Sequence, residues 1–230
     1  MVDPDATRVV QMQSTRKMRP FQKAALIFCG LGIATSTTSP ASPTPEASPT
    51  TGAVVATPQA NPKGGHRQLA LARKRLDDAE LAENEKSQRE SYLAAGRHAE
   101  LAIEILPENA DAYFLRFAAR GRLAQMDGLA LGALQLPALQ RELDLILQLN
   151  PEHADALSSH GCMLVKLPYL LGGNVSEGIR MLQLALKLDP QSVGKRLELA
   201  EAYHIDGRNE AAQTIVAEAR AIATASGSTR

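Results

Sequence analysis

The chain has 230 residues, of which 44% are hydrophobic, 22% charged and 3% aromatic, with no Trp. Lys plus Arg and Asp plus Glu both total 25, and from Asn61 onward 20 basic residues stand against 22 acidic ones, so no net field favours nucleic acid. Two cysteines, Cys29 and Cys162, are too few for a disulfide framework, and the composition suits one helical domain joined to a non-globular segment.

The first elements are not globular. Arg16, Lys17, Arg19 and Lys23 precede an apolar run from Ala24 to Ala34. That run is shorter than the roughly 20 residues of a membrane-spanning helix. A basic region, a short apolar core and small residues after it predict a secretory signal peptide over 1–36, with Met18 as an alternative start. The mature chain is then exported, periplasmic or secreted, and carries no transmembrane span. Cys29 lies in LIFCG, which resembles a lipobox, but Phe28 stands where that motif has a small residue, and this disfavours a lipid anchor. Residues 37–64 are rich in Pro, Ser, Thr and Ala without apolar periodicity and are expected to be a disordered spacer.

Helical spacing begins beyond it. Leu69, Ala72, Leu76 and Ala79 form one stripe; Tyr92, Ala95, Ala99, Ala102 and Ile103 form the next. A second pair opens at Asn109, a plausible N-cap, with Tyr113, Leu115, Phe117 and Leu123 in its first helix and Leu139, Leu143, Ile146 and Leu149 in its second. The third pair ends on Gly172–Pro190, where Ile179, Leu182, Ala185 and Leu186 give a broad buried stripe that Asp189-Pro190 terminates. A fourth pair spans about Ser192–Ala225, turning at Gly207. EILPENADA at 104–112 and QLNPEHADA at 148–156 repeat the same helix-ending phrase, which is the mark of a repeat array.

Counted from Pro190, Leu199, Ala200, Tyr203, Gly207, Ala212 and Ala219, and backward Gly173, Leu182 and Ala185, fall where the tetratricopeptide repeat signature places such residues. The chain therefore resembles that family. The resemblance implies an all-α fold over 65–225, a right-handed α-solenoid of about four antiparallel helix pairs, with a frayed tail over 226–230. It also implies a binding scaffold for another protein or peptide.

The spacing departs from the 34-residue repeat in two places. Pro107 to Pro151 spans 44 residues and Pro151 to Pro190 spans 39. The surplus is expected between the helices of each pair, around GLALGALQLP at 128–137 and within PYLLG at 168–172. Equivalent turns of stacked repeats share one edge. Leu129, Leu131, Leu134, Leu136, Tyr169, Leu170 and Leu171 are thus expected either to fold back as extra core or to gather as an apolar contact for a partner, an apolar small ligand or a second copy of the chain.

The inner groove of a repeat array is lined by the first helix of each pair. Here it would present Phe114, Arg122, Lys166, Glu201 and His204, a set of mixed sign. No GxSxG, HExxH, Walker-type or dinucleotide fingerprint occurs. His153 and His160 are seven residues apart, about 10.5 Å along one helix, too far to share a metal. His160 is expected to be a packed core histidine. Gly172-Gly173-Asn174 could offer backbone amides to an anion but reads more simply as a turn into a helix. No catalytic residue, metal or cofactor is expected. The Gly-Gly turn before a long second helix is also similar to the periplasmic component of some tripartite solute transporters, a tetratricopeptide-like family. That resemblance implies, as the alternative, an oligomeric accessory that handles an apolar ligand.

Overall fold

The structure is a computed structural model that describes residues 62–227. The signal and spacer readings lie outside these residues, except that the first helix already begins at Pro62. Proline is at home at that position, because the first N–H groups of a helix have no intrahelical partner.

Eight α-helices follow one another, with no strand among the described residues. They are α1 (Pro62–Glu80), α2 (Glu85–Ile105), α3 (Ala110–Met126), α4 (Leu129–Leu149), α5 (Ala154–Lys166), α6 (Val175–Leu188), α7 (Val193–Ile205) and α8 (Asn209–Gly227), with a 3-10 turn at Tyr169–Leu171 between α5 and α6. Each packs on the next as four consecutive antiparallel pairs, a tetratricopeptide-like array. No helix among the described residues is long and apolar enough to cross a membrane.

Polar side chains start the helices. Asn84, Asn109, Asn174 and Ser192 each accept from a backbone N–H three residues on, at 2.9, 3.0, 3.1 and 3.2 Å. His153 does the same through Nδ1, 3.2 Å from the Ala156 N–H. Asn209 opens α8 as its first residue. Its side chain meets His204 Nδ1 at 2.7 Å. The turns inside the second, third and fourth pairs pass through Gly128, Gly172 and Gly207, at φ of 85°, 87° and 81°. Side chains other than glycine rarely tolerate that backbone.

Three apolar clusters run along the array. The first joins α1, α2 and α3 through Ala72, Leu76, Ala79, Tyr92, Ala95, Ala99, Leu115, Ala118 and Ala119; six alanines let the helices approach closely. The second joins α3, α4 and α5 through Phe114, Phe117, Leu139, Leu143, Ile146 and Met163. The third joins α5, α6 and α7 through Cys162, Val165, Ile179, Leu182 and Leu199.

The ten surplus residues of the second pair are not an inter-helix loop. They form the first turns of α4, which continues through Pro137. Pro137 has no N–H for the Ala133 carbonyl, but both residues are exposed, so water can satisfy that oxygen. Gly132 lets this extension lie against α3: a Cβ there would stand 2.7 Å from the Ala124 carbonyl oxygen. The five surplus residues of the third pair do lie between their helices, as the 3-10 turn and Gly172.

Candidate functional site

The two apolar insertions are positioned by different means. Leu131 and Leu134 ride on the extension of α4, and Leu136 turns inward to pack on the second cluster. Tyr169, Leu170 and Leu171 are held by the connection from α5 to α6. There the amide of Gly172 donates to the Tyr169 carbonyl at 3.0 Å, that of Gly173 to the Pro168 carbonyl at 3.0 Å and that of Asn174 to the Leu164 carbonyl at 2.8 Å. These amides are committed to the backbone, so the turn is not an anion nest. Gly173 is required for another reason: a Cβ there would stand 1.8 Å from the Leu167 carbonyl oxygen.

This fastening leaves apolar side chains in water. Leu131 is 58% exposed, Leu134 78%, Tyr169 88%, Leu170 92% and Leu171 55%. Of the seven edge residues, Leu136 alone is seen to fold back, and the side chain of Leu129 lies outside the described set. A Cβ on Gly172 would sit 3.7 Å from Gln140 Nε2, so the 3-10 turn lies beside α4. Gln140 is six residues from Leu134, about 9 Å along the helix axis. No charged residue occurs from Leu129 to Gln140 or from Leu167 to Ser176.

The groove set divides. Phe114 does not reach a groove. It is buried, with its ring 4.9 Å from His153 and 5.9 Å from Phe117, because α4 and α5 close over that face of α3. Arg122 is turned to Glu80, 3.0 Å away, and Glu80 also accepts from the Tyr92 hydroxyl at 2.9 Å, tying α1, α2 and α3 together. Burial raises the Tyr92 hydroxyl well above the ordinary tyrosine range. Lys166, Glu201 and His204 do come near one another. Lys166 Nζ is 2.9 Å from Glu201, and Glu201 and His204 line an open cleft of about 610 Å³ between α7 and α8, with Leu197, Gln213, Val216 and Arg220.

Sequence reasoning missed a polar seam between α5 and α7. Ser158 and Lys195 are buried there, and the half-buried Glu198 is hydrogen-bonded to Ser158. Acidic and basic residues at helical spacing read as a solvated face, and only the crossing of two first helices reveals the seam. His160 is half-buried rather than a core residue, and burial lowers its pKa. His153 is a cap. Its Nδ1 accepts from a backbone amide, so the ring proton belongs on Nε2, which lies 3.2 Å from Asp111. That contact holds the Asp111 carboxyl below its ordinary range.

No family model and no curated protein matches the chain. Among solved structures, a crystal structure of MamA aligns over 70% of this chain and 89% of its own, at 14% identity and a TM-score of 0.43. A second structure, MamA MSR-1 C2, aligns over 71% of this chain and 96% of its own, at 16% identity and a TM-score of 0.41. The likeness is loose, and the reading of this chain rests on its own residues.

Proposed function

We propose that the chain is a non-catalytic helical-repeat scaffold that binds another protein through the apolar edge of Leu131, Leu134, Tyr169, Leu170 and Leu171. The carrying observation is the 3-10 turn, which fixes three consecutive large apolar side chains in water and is itself held by the amides of Leu171, Gly172 and Gly173. Exposing them opposes solubility, and contiguous apolar surface of this kind marks binding sites. With residues 1–36 read as an export signal, the partner belongs to the cell envelope or its surroundings. The Gly172–Gly173 turn, which carried the resemblance to transporter accessories, is accounted for by local packing. The cleft between α7 and α8 is open and of mixed polarity, which suits a peptide better than an enclosed apolar ligand.

The test is a pair of substitutions, Leu134→Ser and Leu170→Ser. Both side chains are exposed, so the unfolding free energy should stay within about 0.5 kcal/mol of wild type. Capture of a partner from envelope extracts, or self-association in native mass spectrometry, should fall at least tenfold. Undiminished capture by the double variant would remove the edge as the binding surface.

A further inference from the structure

Glu198 lies on α7 where that helix crosses α5, and its carboxyl group is in hydrogen-bond contact with Ser158 Oγ. The charged groups around it are Asp155 and Lys166 on α5, Lys195 and Glu201 on α7, and Asp189 at the end of α6. Lys195 Nζ is 2.6 Å from Asp155 and 3.0 Å from Asp189. Lys166 Nζ is 2.9 Å from Glu201. Arg196, the next cation along α7, is occupied by Glu218 of α8 at 3.5 Å. Two ammonium groups thus already answer three carboxylates before Glu198 is counted. Ionised, Glu198 would be a fourth anion without a cation of its own, half-buried at the crossing.

We propose that Glu198 is a proton-operated clasp between the third and fourth helix pairs. With the proton on, the seam carries one uncompensated negative charge and α7 sits tightly on α5. With the proton off, it carries two and the fourth pair slackens. Ser158 serves either state, accepting from the acid or donating to the carboxylate, so the hydrogen bond persists and the charge is what changes. Because the cleft between α7 and α8 belongs to the fourth pair, its position relative to the rest of the array then depends on pH.

Burial agrees with this count: it raises the Glu198 acid from the ordinary 4.5 to about 7, against the opposing pull of Ser158 and the two lysines. The folded state therefore holds this proton more tightly than the unfolded chain. The contribution of Glu198 to docking is greatest below about pH 4.5, declines as pH rises towards 7 and is level above that.

The experiment is amide hydrogen exchange of the full chain between pH 5 and 8, corrected for the intrinsic pH dependence of exchange and read as protection of α7 and α8 relative to α1 and α2. The relative protection should fall at least tenfold between pH 5 and about 7 and stay level from there to pH 8. Glu198→Gln, which keeps the shape and removes the titration, should hold the pH 5 protection throughout. A pH profile that is flat in wild type, or unchanged in Glu198→Gln, overturns the proposal. Should the variant fail to fold, carboxyl ¹³C titration of the wild-type chain decides: a Glu198 midpoint near 7 upholds the clasp, and one in the ordinary carboxylate range overturns it.

Discussion

Glu142 shows how burial decides the size of a substitution's effect. Its side chain is 3% exposed on α4, and its carboxylate takes Arg116 Nε at 2.5 Å and Arg120 at 3.3 Å, both from α3. The arginines are partly in water and the glutamate is not. Arg116→Ala would leave a carboxylate with only the longer contact in a site without solvent, at a cost of about 3 kcal/mol. Glu142→Gln leaves two arginines that water can reach and a neutral amide that can still accept a hydrogen bond, at about 1 kcal/mol. Urea denaturation of the two variants should therefore place Arg116→Ala well below Glu142→Gln, and equal losses would show that the triad is only a surface pair.

Among elements, the crossing of α5 on α6 brings backbone against backbone. A Cβ on Gly178 would stand 2.6 Å from the Gly161 carbonyl oxygen and 2.6 Å from Val165 Cγ2, and a Cβ on Gly161 would stand 2.8 Å from the Gly178 carbonyl oxygen. Alanine favours helix over glycine by about 1 kcal/mol, but here backbone meets backbone and the helices must separate. Gly178→Ala should lower stability by about 2 kcal/mol, read as a lower urea midpoint, and a gain in stability would mean that the crossing relaxes freely. The helix pairs were legible because each carries its own stripe: Leu69 to Ala79 and Ile179 to Leu186 need no neighbour to be read. Asn109 was legible as a cap because its chemistry is local. The burial of Phe114 and the diversion of Arg122 were not legible, since the covering of one face of α3 is set by where α4 and α5 cross it. The extension of α4 was missed because Gly128, Gly132 and Pro137 read as breakers. Gly128 does turn the chain, but Gly132 serves packing against α3 and Pro137 stands where solvent can replace the lost bond.

Across the molecule, the array is joined least closely in its middle. Contact between α4 and α5 is the sparsest of any consecutive helices, whereas α1 with α3 and α5 with α7 touch directly across pairs. In a linear array, stability is approximately a sum of unit and interface terms, so a weak interface is where cooperativity fails first. Here the halves are joined by few groups: the Phe114 ring on His153 at 4.9 Å, His153 Nε2 facing Asp111 at 3.2 Å, and Ala156 and Met163 in the second cluster. His153 also caps α5, so one residue holds the start of the third pair and ties it to the second. His153→Ala should cost about 2 kcal/mol, combining a lost cap with a lost contact to an exposed carboxylate. Its more telling effect is on cooperativity. With the joint weakened, native-state hydrogen exchange should resolve α5–α8 as a unit that opens at lower denaturant than α1–α4. Leu76→Ala, set within the first pair, should lower stability by more, about 3 kcal/mol, while destabilising the other half instead. If His153→Ala still unfolds in one transition with every helix opening together, the mid-array interface is not the weak joint and the second cluster alone carries the coupling.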